Sequence, residues 1–237
     1  MNKTEAVLKI VCPHCGEESI PVDFCPECSQ ILPVSEGQSH YQVLGYDKET
    51  LSLDLADLEK RLFALSKKFH PDRFANRTSL ELQLSHDRSS AINNAYRILK
   101  DPITRAKYIV EKELGSIEEK SAKVPIEMAD FFFEIHDILD TIRESDGKPP
   151  ESALQEVQTA ERDLMAKVKE LEMDLEQQFA EYDQLPNRQI AERMKEILSE
   201  RSYIKSFLRQ IDSTLRGEGK EDEPQRPQRP QSAQRDH

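Results

Sequence analysis

Through most of the chain, apolar side chains recur at intervals of three and four, the spacing that gathers them on one face of an α-helix. Met128, Phe132, Ile135, Leu139 and Ile142 form one such stripe, widened by Phe131 and Ile138. After the breaker SDGKPPES a second stripe runs through Leu154, Val157, Leu164, Val168, Leu171, Leu175 and Tyr182. It is expected to stop near Leu185, because Pro186 disfavours a helical residue before it and suits the first turn of the next helix. A third stripe, Ile190, Met194, Ile197, Ile204, Leu208, Ile211 and Leu215, follows at once. Short connections make neighbouring helices antiparallel, so the three stripes are expected to close on one core as a three-helix bundle.

The first half has the same rhythm in shorter pieces. Leu53 to Phe69 predicts a helix whose buried stripe is Leu55, Leu58, Leu62, Leu65 and Phe69. A second helix begins near Ser79 and carries Leu84, Ala91, Ile92, Ala95, Tyr96 and Leu99; it yields at Asp101-Pro102 to a short helix ending before Gly115. The fold class is therefore all-α. Its expected segments are a cysteine module over 1–35, a four-helix domain over 38–115, the bundle over 121–216 and a tail over 217–237. That tail repeats PQR and has no apolar anchor, so it is expected to be disordered.

Composition narrows the function. Of the 237 residues 33% are charged, there is no tryptophan, and the net charge is −12. A chain with a pI near 5.1 repels a polyanion, which argues against general nucleic-acid binding; any acidic partner must meet a local basic patch. The N-terminal apolar run is short and lacks a small-residue cleavage pattern, and no stretch approaches a membrane span. The expectation is a soluble, cytoplasmic protein with no membrane or nucleic-acid partner.

All four cysteines lie in two C-P-x-C turns, Cys12 with Cys15 and Cys25 with Cys28. In a reducing cell such pairs point to metal rather than disulfides. Four thiolates fill a tetrahedral shell with no position left for substrate, which indicates structural zinc, with rubredoxin-like iron or an iron–sulfur cluster as the alternatives. His14 is expected to be a bystander. A nucleic-acid zinc ribbon is disfavoured, since the module is poor in basic residues.

Positive charge concentrates in one place. Asp54, Asp57 and Glu59 crowd the start of the 53–69 helix, while Lys60, Arg61, Lys67 and Lys68 occupy its middle and end. This order complements the helix dipole, at about 0.3 to 1 kcal/mol for each surface contact. The dipole does not account for His70-Pro71-Asp72, where proline fixes a short polar tip between two helices. His70 has no nucleophile or metal constellation beside it in the sequence, so no catalysis by this chain is expected.

HYQVLGY at 40–46, KKFHPDRF at 67–74 and INNAYRILKDPITRAKY at 92–108, in this order and at these distances, resemble a J-domain. The resemblance implies that the basic helix face, with Lys60, Arg61, Lys67, Lys68 and neighbouring Arg73, docks on an acidic surface of an Hsp70. It also implies that His70, Pro71 and Asp72 trigger ATP hydrolysis in that partner. A general-purpose J-protein would carry a Gly/Phe-rich linker and β-sandwich domains, and this chain has neither. A J-domain followed by a three-helix bundle is similar to the HscB (Hsc20) co-chaperones of iron–sulfur cluster biogenesis, some of which carry a tetracysteine module.

On a helical wheel centred on Ile135, Phe133 falls about 160° away and Ile126 lies on the far side as well, so both are expected to face solvent. An outward phenylalanine beside Glu134 and Asp137 would form an apolar spot with an acidic rim. In HscB proteins a patch on this helix grips an IscU-type scaffold, and the resemblance places Phe133, Glu134 and Asp137 on it. Ala129 and Asp130 stand where the family usually has a Leu-Met pair. Tyr203, off the stripe of the third helix, is a further candidate for this surface. The competing reading is a J-domain adaptor for a different client.

Overall fold

Capping side chains set the starts of several helices. The computed structural model describes residues 9–20, 22–115, 128–145 and 147–217. The expected tail disorder beyond 217, the linker at 123–125 and the orientation of Ile126 lie outside these residues. Ser39 and Gln42 form a reciprocal capping box on α1 (His40–Val43), Asp54 caps α2 (Leu55–Lys68), and Thr78 with Glu81 boxes α3 (Ser79–Lys100). Each satisfies amide donors that would otherwise lack partners, at about 1 kcal/mol per cap. Pro102 then opens α4 (Pro102–Leu114), with Asp101 Oδ1 accepting from the Thr104 amide at 2.8 Å.

The chain divides into two compact units, Met1–Ile109 and Val110–His237. In the first, α2 and α3 pack against each other and α1 lies on α3. Tyr41, Leu44, Leu58, Phe69, Ala95 and Leu99 are almost fully buried. Leu55, expected on the buried stripe, is exposed: it occupies the first turn of α2, at the edge of the interface. Ahead of these helices the cysteine module holds a two-residue hairpin, β1 (Ile10–Val11) against β2 (Glu18–Ser19), in which Ile10 pairs with Ser19.

The second unit contains α5 (Ala129–Glu144), α6 (Glu151–Gln184) and α7 (Arg188–Leu215), each packed on the other two. Phe132, Ile135, Leu139 and Ile142 of α5 are buried with Val157, Leu164, Leu171 and Leu175 of α6 and Met194, Ile197, Ile204 and Ile211 of α7. Pro186 does not enter the first turn of α7 as expected. Leu185 ends α6 in a non-helical conformation, Pro186 lies outside the helix, and Asn187 takes the cap, its Oδ1 accepting from the Ile190 amide at 2.9 Å. Asparagine supplies the capping acceptor that proline lacks, so the helix starts after it. Leu215, at the end of α7, is exposed.

Candidate docking corner, metal centre and bundle groove

Phe69 closes α2, its amide still donating to the Leu65 carbonyl at 2.9 Å. Pro71–Arg73 then form a single 3₁₀ turn with His70 as its cap, stitched by Arg73 N to His70 O at 3.0 Å and Phe74 N to Pro71 O at 2.9 Å. His70 Nδ1 accepts from the Asp72 amide at 3.3 Å and lies 3.5 Å from Asp72 Oδ2. The side chains of His70 and Asp72 are 58% and 90% exposed, so this fixed corner faces outward. Phe69 and Phe74 on either side are buried and anchor it.

The structure separates the cations of this region. Lys60 and Lys67 are exposed and, among the described residues, form no salt bridge. Arg73 is also exposed, with Nη1 donating to the Lys67 carbonyl at 3.3 Å. Arg61, by contrast, is directed inward: Nε meets Asp57 Oδ2 at 2.7 Å, Nη1 donates to the Gly45 carbonyl at 2.5 Å, and the guanidinium covers the Tyr46 ring at 4.1 Å. Tyr46 donates to the same Asp57 at 2.9 Å; burial first, then that carboxylate, raises its hydroxyl pKa to about 12. Lys68 is ion-paired with Asp23 of the cysteine module.

Phe63 falls outside the buried stripe of α2 and is 72% exposed. With Ser66, Lys67, His70 and Arg73 it lines an open depression of about 570 Å³. A large apolar side chain left uncovered beside cations is the sequence-level signal that periodicity alone discards.

The four cysteine sulfurs lie within 4.8 Å of one another, with Cys12 to Cys28 and Cys15 to Cys25 each at 3.6 Å. Four thiolates about 2.3 Å from a central ion would stand about 3.8 Å apart, so the set fits a tetrahedral metal. Two matching knuckles hold them. In one, Cys12 N donates to Glu17 O and Gly16 N to Cys12 O; in the other, Cys25 N donates to Gln30 O and Ser29 N to Cys25 O. Gly16 and Ser29 occupy the same place and both have positive φ, 77° and 58°.

Burial raises the Cys12 thiol pKa, but amide donation from Cys15 and His14 outweighs it and brings the value to about 6. At Cys15 the backbone of Glu17 favours the thiolate, yet burial and the surrounding sulfurs together drive its pKa up to about 12. Thiolates held this close oppose one another's ionisation, an opposition that a bound cation removes.

In the bundle the sequence-derived patch divides differently. Phe133 is half-buried rather than fully exposed. A helical phenylalanine lies back over the preceding turn, so an outward Cβ does not guarantee an outward ring. Tyr203, expected at the surface, is only 6% exposed and packs edge-on against Phe132 at 4.8 Å. α7 contacts both α5 and α6, which widens its buried arc beyond one stripe. Glu134, Asp137 and Asp130 are exposed and Ala129 is half-buried.

Glu134 and Asp137 belong to an open groove of about 640 Å³ between α5 and α6. Phe131, Ile135 and Ile138 supply apolar lining from α5, while Glu156 and Asp163 carry the acidic rim onto α6. Phe131 and Ile138, which line this groove, are the residues that the sequence placed on the edge of the core stripe. Phe132, next to Phe131, turns inward onto Tyr203 and Phe207.

Among the described residues, no helix is long and apolar enough to cross a membrane. The DnaJ domain family matches residues 39–108, spanning α1 to α4 and the exposed corner. The co-chaperone protein HscB homolog of Haemophilus ducreyi is 32% identical over 163 residues, covering 68% of this chain and 86% of that protein. The iron-sulfur cluster co-chaperone protein HscB of Mus musculus is 25% identical over 197 residues, covering 83% and 76% respectively. A crystal structure of human co-chaperone protein HscB matches with a TM-score of 0.62 at 25% identity, covering 86% of this chain and 98% of the other. With the J-domain, the bundle and the extent of the bacterial match in agreement, the chain belongs to the HscB family of co-chaperones.

Proposed function

We propose that this chain is a non-enzymatic activator of an Hsp70-type ATPase that presents an iron–sulfur scaffold protein to it, in the cytoplasm. The observation that carries this reading is the corner at His70, Pro71 and Asp72: rigid in its backbone, anchored by buried phenylalanines and open at its polar side chains. An exposed carboxylate on a fixed turn suits a charge-assisted bond to an arginine of a partner. Lys60, Lys67 and Arg73 lie around it, so a partner surface rich in carboxylates is steered toward the corner despite the net charge of −12. Phe63 adds an apolar anchor within the same depression. Arg61 and Lys68 support this surface from within, through Asp57 and Asp23. Nucleotide hydrolysis takes place in the partner.

The groove between α5 and α6, with Phe131 and Ile138 inside an acidic rim, suits a scaffold that offers apolar side chains flanked by lysine or arginine. We assign Glu134 and Asp137 to that contact, with Phe133, Ala129 and Asp130 at its margin. The four cysteines hold structural zinc. Ala129 and Asp130, standing where the family usually has a Leu-Met pair, favour a second reading, in which the bundle serves a different client.

The test is direct. Added to an Hsp70 in single turnover, the chain is expected to accelerate ATP hydrolysis and to co-purify with a scaffold of the IscU type. Stimulation without scaffold binding would leave the adaptor reading. No stimulation of any Hsp70 from the same cell would refute the docking account.

A further inference from the structure

The cysteine module does more than occupy the N-terminus: it covers the residue immediately before the docking corner. Phe69 is fully buried, and its ring stacks on Phe24 of the module with centroids 5.7 Å apart and planes 22° apart. Arg88 of α3 meets the same ring, its guanidinium 4.8 Å from the Phe69 centroid. Arg88 Nε donates to the Leu32 carbonyl at 2.5 Å, Nη1 to Asp23 Oδ1 at 2.8 Å and Nη2 to the Val22 carbonyl at 2.9 Å. All three acceptors flank the second cysteine pair. The Phe69 carbonyl accepts from Ser85 Oγ at 2.8 Å and Ser89 Oγ at 3.0 Å, one turn apart on α3, so the peptide leading into His70 is tied to that helix.

Among its described residues the module has little of its own to hold it folded. Its own core is Ile10, Cys12, Cys25 and Leu32 with Cys28 packed against them, and its ladder is two residues long. A core this small needs a metal to fold. If it opens, Phe69 loses the face of Phe24, and Arg88 keeps a buried charge with none of those acceptors. Lys68 is released from Asp23 as well.

From these contacts we infer that the four-cysteine module is a metal-dependent brace for the docking corner, with Asp23, Phe24 and Arg88 as positioning residues that act through Phe69. The inference rests on the Hsp70 reading above only for its consequence in activity; the bracing is a property of this chain alone. The family resemblance gives the module a place in the chain, whereas the contacts give it a task.

The experiment compares amide hydrogen exchange at Phe69, Arg73 and Phe74 in the full zinc-loaded chain, in the same chain stripped with a strong chelator, and in Asp23→Asn held at one zinc per chain. Exchange at these amides is expected to rise about tenfold or more on stripping and in Asp23→Asn, with Asp23→Glu restoring slow exchange and α7 unchanged throughout. Unchanged exchange at the three amides in zinc-loaded Asp23→Asn overturns the proposal, even if stripping unfolds the whole first unit. Hsp70 stimulation is measured on the same samples. A loaded wild-type chain that does not stimulate speaks against the docking reading, while the exchange data still decide the brace.

Discussion

Arg88 Nη1 lies 2.8 Å from Asp23 Oδ1, joining α3 to the cysteine module across 65 positions of the chain. Burial lowers the Arg88 pKa, with Asp23 opposing that shift; the group stays charged because the carboxylate and two backbone carbonyls meet it. Arg88→Lys keeps the charge but cannot reach all three acceptors at once, so it is expected to lower the stability of the first unit by about 2 to 4 kcal/mol in urea unfolding. A change below about 0.5 kcal/mol would mean that the guanidinium fork has no special part.

Ser29 adopts at φ 58° a conformation that its counterpart Gly16 takes without strain. Ser29→Gly relieves the left-handed penalty and gives back part of the gain as chain entropy, for a net gain of about 0.5 to 1 kcal/mol. Competition with a chromophoric chelator should show tighter zinc retention; weaker retention would contradict the account.

Phe63 is exposed, so Phe63→Ala should leave thermal stability within about 0.5 kcal/mol of wild type. It should raise the concentration of chain needed for half-maximal Hsp70 stimulation about fivefold, the loss of an anchor at an interface. An unchanged half-saturation point would remove Phe63 from the docking surface.

Charge reversal on the bundle separates its function from that of the corner. Glu134→Lys with Asp137→Lys is expected to weaken binding of an IscU-type scaffold by about tenfold or more in titration calorimetry, with Hsp70 stimulation in the absence of scaffold unchanged. Phe131→Ser should do the same through the groove lining. Equal scaffold affinity in both variants would move the contact elsewhere.

His40 lies against Tyr108, their rings 4.6 Å apart, and burial holds its pKa below the ordinary value of 6.5, with Glu49 opposing more weakly. The folded state therefore prefers the neutral ring. This contribution is fully present above pH 6.5 and is lost as pH falls from there through the folded value. Chemical denaturation of the full chain between pH 7.5 and pH 5, on the order of the imidazole range, should show a decline in stability that His40→Gln reduces.

Much of this was legible in the sequence. Period-three-and-four stripes located the helices, and the paired cysteines and the proline-fixed corner stood out because their chemistry depends on local spacing. What escaped depended on partners distant in sequence. Nothing around Arg88 in SHDRSSA marks an arginine that enters the module, and Leu55 and Phe63 carry the same apolar label as their buried neighbours. Tyr203 and Phe207 were missed because a helix with two neighbours buries a broader arc than one stripe, and both rings meet Phe132. Ser29 was hidden because backbone conformation at a knuckle is set by the sulfurs it must aim.

The central claim is that the open corner at His70 to Asp72 acts on a partner's ATPase. The most direct measurement is single-turnover ATP hydrolysis by the Hsp70 with wild type and with His70→Gln, each checked by circular dichroism for an unchanged helical fold. The account predicts acceleration by wild type and none by His70→Gln at any concentration. Stimulation by His70→Gln equal to wild type would contradict it.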